Sequence, residues 1–230
     1  VLRPLLTLGA MALVGWLFNS HVPEGVPRLL LVAAATLPWT FFSTAFSEAS
    51  NSLIANSNLL TKVYFPRLIV PASTLLVCLI DLLISFAILL VLLAVYRYVP
   101  DFRILFLPLF TLLAIVTALG SGLLIAAINV KYRDFRYVVP FMVQFGLYVS
   151  PIAFTSTDIY SNERIPMAVR TLYSMNPLVG VIDGFRWCIL GGTSPIHMPG
   201  FILSVGISLL LLLLGVRYFR RMERSFADVI

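Results

Sequence analysis

The chain has 230 residues, 60% apolar and 11% charged, with 16 Lys and Arg against 10 Asp and Glu and a mean hydropathy of +1.00. A soluble domain carries about 25% charged residues and cannot hide so much apolar surface, so the composition excludes one and makes the bilayer the solvent. The apolar runs are continuous rather than alternating, which disfavours a transmembrane barrel and predicts an all-α integral membrane fold.

The first apolar run, 5–18, has 14 residues and is short for a hydrocarbon core of about 30 Å unless residues before Val1 complete it, so a first span is expected over 1–18. The chain starts at Val1 rather than Met, which suggests residues upstream, and no cleavable signal peptide pattern is present. Residues 19–28 read as a turn-rich loop with two Pro and a Gly. A second span is expected over 29–46, with Pro38 kinking the helix without ending it. Ser43, Ser47 and Asn51, beside Glu48, Ser52 and Asn56, continue that helix as a polar stripe beyond the membrane; either it is a solvated face or it docks a cytosolic partner.

The third run, 68–96, is uncharged except for Asp81. An intramembrane carboxylate is costly unless protonated, paired or facing water, so Asp81 is either hydrogen-bonded inside the bundle or a proton carrier. A fourth span is expected over 104–130, where Ala114, Ala118, Gly122 and Ala126 recur every four residues beside Gly120 and Ser121. Such a row permits close helix packing, within one subunit or between two. The basic loop 131–136 follows, then a fifth span over 137–154.

The connection 155–200 is too apolar for a plain loop. Its pieces 166–175 and 179–190, separated by Asn176 and Pro177, are each too short to cross, so a helical hairpin re-entering from the outer side is expected. Asp183 and Arg186 lie one turn apart and could pair, while Gly180 and Gly184 permit close contact. The sixth span, 198–216, leads into an Arg-rich tail. The whole chain, 1–230, reads as a single transmembrane domain.

With the N-terminus inside, ten Lys and Arg fall on the cytoplasmic side and six outside, which favours both termini cytoplasmic. The net charge of +6 is thereby explained without nucleic acid. Cys78 and Cys188 sit in separate apolar segments and read as packing residues rather than a disulfide. Aromatics are dense on the second span (Trp39, Phe41, Phe42, Phe46) and the fifth (Phe141, Phe145, Tyr148, Phe154). Belts and core packing would use them, and so would a sugar-conducting path, because aromatic faces stack on sugar rings. No phosphate-binding loop of the form G-x-x-x-x-G-K-[ST], no zinc-type spacing and no catalytic triad set is present, so energy must come from a partner or a gradient.

Residues 37–71 (LPWTFFSTAFSEASNSLIANSNLLTKVYFPRLIVP), 129–141 (NVKYRDFRYVVPF), the Ser150 and Pro151 pair, and 175–191 (MNPLVGVIDGFRWCILG) resemble the permease subunits of ABC transporters that export bacterial cell-surface polysaccharides. The resemblance covers nearly all of 29–191 and is nearest the O-antigen exporters of lipopolysaccharide biosynthesis, with teichoic acid and capsule exporters as near relatives. It implies a multi-pass inner-membrane homodimer moving lipid-linked polysaccharide, with two separate cytosolic ATPase subunits that carry ATP and Mg. This chain would itself be no enzyme and bind no cofactor or metal. The resemblance further implies that Asn56, Asn58, Lys62, Tyr64, Phe65, Pro66 and Arg67, with Lys131, Tyr132, Arg133 and Asp134, couple to the ATPases. An outer gate would use Asn176, Pro177, Asp183, Gly184, Arg186 and Trp187, and the path Trp39, Phe42, Phe46, Phe145 and Tyr148. An amphipathic interface helix would precede the first span, ahead of Val1. The competing expectations are an ABC exporter of teichoic acid, capsule or drug, a gradient-driven transporter using Asp81, and a scaffold without transport.

Overall fold

The computed structural model describes residues 9, 13, 25–57, 66–132, 134–191 and 194–223. The expected first span, 1–18, lies outside them but for positions 9 and 13, both helical. Among the described residues the chain is entirely helical: α1 (Arg28–Ala55), α2 (Ile69–Val95), a short 3-10 turn (Phe102–Phe106), α3 (Leu107–Lys131), α4 (Phe135–Val149), α5 (Ser156–Tyr160), α6 (Met167–Ser174), α7 (Pro177–Ile189) and α8 (Met198–Glu223). Four of these segments, α1, α2, α8 and the run Phe102–Lys131, are long and apolar enough to cross a membrane.

The helix limits follow from local chemistry. Pro38 sits inside α1 without ending it, and α1 then runs on through the expected polar extension to Ala55. Its polar side chains bond their own backbone: Thr36 Oγ1 donates to Val32 O at 2.8 Å, Ser47 Oγ to Ser43 O at 2.8 Å and Asn51 Nδ2 to Ser47 O at 2.9 Å. Ser52 is buried and Ser43, Ser47 and Asn51 are half-buried, so most of the stripe read from the sequence faces protein, while Glu48 is exposed.

At the end of α2, Arg97 takes a positive φ of 51°. The amides of Arg97 and Tyr98 donate to Ala94 O and Leu93 O, a Schellman closure in which Arg stands where Gly is usual. The expected fifth span appears as the 15-residue α4, which rises about 22 Å at 1.5 Å per residue. It stops because Ser150 precedes Pro151 and is held extended at φ −87°, ψ 148°. In contrast, α8 outruns its expected end by seven residues, since Phe219 is buried while Arg217, Arg220 and Arg221 point outward.

The bundle is organised around α3, which packs on α1 and α8, with α2 against the far side of α1. The four-residue row of small side chains makes the first of these seams. Ala114, Ala118, Gly122 and Ala126 are all buried, and a Cβ on Gly122 would stand 2.8 Å from Ala49 Cβ. On the α8 side, a Cβ on Gly120 would stand 2.5 Å from the Leu212 amide nitrogen, and one on Gly215 would strike the Gly120 carbonyl oxygen. The close packing therefore lies within one subunit. Cys78 and Cys188 are both buried and free, in keeping with a packing role.

Candidate functional site

Four helix ends converge at the end of the bundle expected to face the cytoplasm. Leu53 of α1, Val70 of α2, Leu123, Ala126, Ala127 and Val130 of α3, and Phe219 of α8 form one apolar cluster, with Phe219 fully buried. Polar clamps flank it. The Arg67 amide donates to Glu223 Oε1 at 3.1 Å and its guanidinium Nη1 to Glu223 O at 2.7 Å, tying the start of α2 to the end of α8. Asn129 Nδ2 donates to Ser50 O at 2.8 Å, tying α3 to α1.

The expected coupling residues that are described gather around this cluster. Asn56 caps α1, donating both its amide and Nδ2 to Ser52 O, and is exposed. Pro66, Lys131, Tyr132 and Asp134 are exposed, and Lys131 Nζ lies 5.0 Å from the Tyr132 ring centroid. Asn58, Lys62, Tyr64, Phe65 and Arg133 lie outside the described residues.

The opposite end is built around α7. Asn176 starts it by accepting the Leu178 amide at 3.0 Å, with Pro177 as the first helical residue, where its missing N–H costs nothing. Eleven of its thirteen residues are buried, so the helix is a plug between α1, α3 and α8 rather than a surface feature. Gly184 is required there because the Phe110 ring occupies the space a Cβ would fill. Trp187 is half-buried beside Phe106 and Phe110, with the Arg103 guanidinium carbon 5.1 Å from its ring centroid.

The expected pairing of Asp183 with Arg186 is corrected by the hydrogen bonds. Arg186, 0% exposed, donates Nε to Leu31 O at 3.3 Å, Nη1 to Phe154 O at 2.9 Å and Nη2 to Ile152 O at 3.0 Å. Asp183, 7% exposed, instead accepts from Ser156 Oγ at 2.8 Å, which in turn contacts Tyr173 Oη at 3.0 Å. The physical reason is that the turn after α4 leaves the buried carbonyls of Ile152 and Phe154 in need of donors, and a guanidinium fork satisfies both while also reaching the Leu31 carbonyl of α1. One-turn spacing on a helix permits an ion pair but does not compel it.

The five aromatics expected along a path divide by burial. Trp39 and Phe46 are 4% and 3% exposed and face the core; Gly146 lets α4 approach the Trp39 ring, and Phe42 stacks on Phe46 at 5.6 Å. Phe145 and Tyr148, at 61% and 65%, stand on the open face of α4 in line with Tyr137 and Phe141. Phe141 and Phe145 stack at 6.3 Å. Asp81 lies on the exposed side of α2 and makes no hydrogen bond or ion pair with a described residue.

Sequence reasoning did not single out the three carbonyls bound by Arg186, the clamp of Asn129 on Ser50, or α5. The last was detectable: Thr155 and Asp158 have capping-box spacing, and they form one. The clamp and the carbonyl contacts span 32 to 155 residues of chain, and no local pattern announces them.

The model of the ABC-2 type transporter family matches residues 1–190. The chain belongs to this family. Three relatives, each named O-antigen export system permease protein RfbA, are similar along most of their length. One from Myxococcus xanthus is 24% identical over 215 residues, 93% of this chain and 81% of the relative. Two from Klebsiella pneumoniae are 24% identical over 194 residues, 84% and 72% of the two chains, and 23% identical over 208 residues, 87% and 75%. This ABC-2 type transporter is accordingly a multi-pass membrane protein of the inner membrane and a transport component rather than a catalyst. The family match takes in α1 to α7 and ends one residue beyond α7, so α8 with its basic end lies past it.

Proposed function

We propose that the chain is the membrane-channel subunit of an ATP-driven exporter that moves lipid-linked, O-antigen-type polysaccharide from the cytoplasmic side across the bacterial inner membrane. The observation that carries this reading is the family match over residues 1–190 together with three relatives that are all O-antigen export permeases. Within it, two copies form the path and two cytosolic ATPase subunits, holding ATP and Mg, drive it. The absence of a phosphate-binding loop from these 230 residues supports a separate ATPase.

In this reading there are six spans with both termini cytoplasmic. The helices α6 and α7, of 8 and 13 residues, are outer re-entrant elements; at 1.5 Å per residue they reach about 12 and 20 Å, short of a hydrocarbon core of about 30 Å. Non-spanning backbone at membrane depth must be enclosed by protein, and the burial of α7 meets that requirement. ATP binding pushes on the segment around 56–66 and on the loop 131–134, and the two permeases part. The open aromatic row of α4, Phe145 and Tyr148 above all, gives weak repeated contacts to passing sugar rings. Trp39, Phe42 and Phe46 support it from behind.

Purification of the full-length protein from its native membrane in mild detergent tests the assembly. A cytosolic ATPase recovered at about one copy per permease, with nucleotide-dependent transport in vesicles, is the expected result. Recovery without an ATPase, with transport indifferent to nucleotide, would refute it.

A further inference from the structure

Two side chains in the interior are bonded incompletely, and they sit together. Ser50 and Asn129 are both 0% exposed, on facing stretches of α1 and α3 whose neighbours Ala49, Leu53, Ala126, Ala127 and Val130 are apolar. Among the described residues the link between these two residues is the 2.8 Å bond from Asn129 Nδ2 to Ser50 O, and Ser50 Oγ and Asn129 Oδ1 are buried with no partner. Buried polar groups are bonded in the great majority of cases, so two orphans on one seam call for an explanation. Packing alone does not supply one, because Ala49, Leu53, Ala126, Ala127 and Val130 around them are apolar. Position along the chain does. Ser50 lies five residues before α1 ends at Ala55, and Asn129 two before α3 ends at Lys131. The chain beyond each is a segment to which the proposed function gives contact with the ATPase.

We infer that Asn129 is a positioning residue of the export cycle: its bond to Ser50 ties the two ATPase-facing segments into one lever, and the unfilled Oδ1 and Oγ leave a joint able to change partners as α1 and α3 shift. This rests on the exporter reading. A seam filled with apolar side chains would hold the helices equally well but would have no second bonding arrangement to move into.

The test uses the complete complex, permease with its ATPase subunits, in vesicles carrying lipid-linked polysaccharide, with polysaccharide delivered and ATP hydrolysed measured together. Asn129→Leu keeps the side chain's size and removes both the donor and the orphan. Assembly is expected at the normal stoichiometry with hydrolysis continuing, while polysaccharide delivered per ATP falls about tenfold, within the usual range of coupling between sites. Ser50→Ala retains the carbonyl acceptor but removes the unfilled Oγ, and is expected to lower the ratio by about twofold to threefold, less than Asn129→Leu does. An unchanged ratio in Asn129→Leu would overturn the inference, and ATP-independent behaviour of the unaltered complex would overturn the exporter reading with it. If Asn129→Leu does not assemble, amide exchange in the unaltered complex decides. Residues 51–57 and 130–134 changing protection together on ATP loading support the lever, and either changing alone refutes it.

Discussion

The helices α2 and α7 invert the rule of soluble proteins. The 27-residue α2 is among the most apolar segments of the chain, yet only seven of its residues are buried, with Leu76, Leu83 and Val91 more than half exposed. The 13-residue α7 carries Asp183 and Arg186 and is buried on nearly every side. In water so apolar a helix as α2 would be core, and the two charged side chains of α7 would sit at the surface. With lipid as solvent, apolar side chains gain nothing by turning inward, whereas charged groups must be surrounded by protein that supplies hydrogen bonds. In α2 apolarity marks the outside, and in α7 the two charged side chains mark where the chain's own contacts are made.

The largest effect that would sharpen this contrast is expected from filling space beside α7. Gly184→Val drives a branched side chain into the Phe110 ring, and we expect a loss of several kcal/mol, on the order of 3 or more, and failure to purify as a monodisperse complex. Size-exclusion profiles read this directly, and a normal profile would mean that α7 is not a close-packed plug. Next in size is Arg186→Lys. The charge persists, but three carbonyls lose a fork that an ammonium cannot reproduce, so a destabilisation of about 3 kcal/mol is expected in thermal unfolding. Near-native stability would show that charge, rather than the three bonds, holds the turn after α4.

Asn176→Ala removes the cap of α7 and should cost about 1 kcal/mol, visible as a melting point lowered by a few degrees. The smallest effect belongs to α2. Asp81 touches no described partner, so Asp81→Asn is expected to leave stability and ATP-driven export within about twofold of the unaltered protein, under 0.5 kcal/mol. Abolished transport in that variant would transfer the energy source to a gradient.

Much of this was legible in the sequence because the signals were local. Apolar run length located α2 and α3 to within a few residues, the piece expected over 179–190 fell within two residues of α7, and the row from Ala114 to Ala126 announced a close seam. What escaped was set by distant chain. Arg186 and Asp183 have the spacing of an ion pair, and only the fold reveals that carbonyls at 31, 152 and 154 compete for the guanidinium. The same holds for the aromatics: Trp39 and Phe145 look alike as residues, and it is the approach of α4 at Gly146 that buries one and leaves the other open. The polar stripe of α1 was legible as a continuation of the helix, but the sequence did not show that its Ser, Thr and Asn side chains turn back onto their own backbone.

The central claim is that this permease carries O-antigen-type polysaccharide outward at the expense of ATP. Removing the gene while polysaccharide synthesis continues, then labelling the polymer at the cell surface and in the cytoplasmic leaflet, tests it most directly. The account predicts that surface polymer disappears, that lipid-linked polymer accumulates inside, and that only a full-length copy supplied with an ATPase competent in hydrolysis restores export. Surface polymer at normal levels in the deleted strain, or restoration with a hydrolysis-dead ATPase, would contradict it.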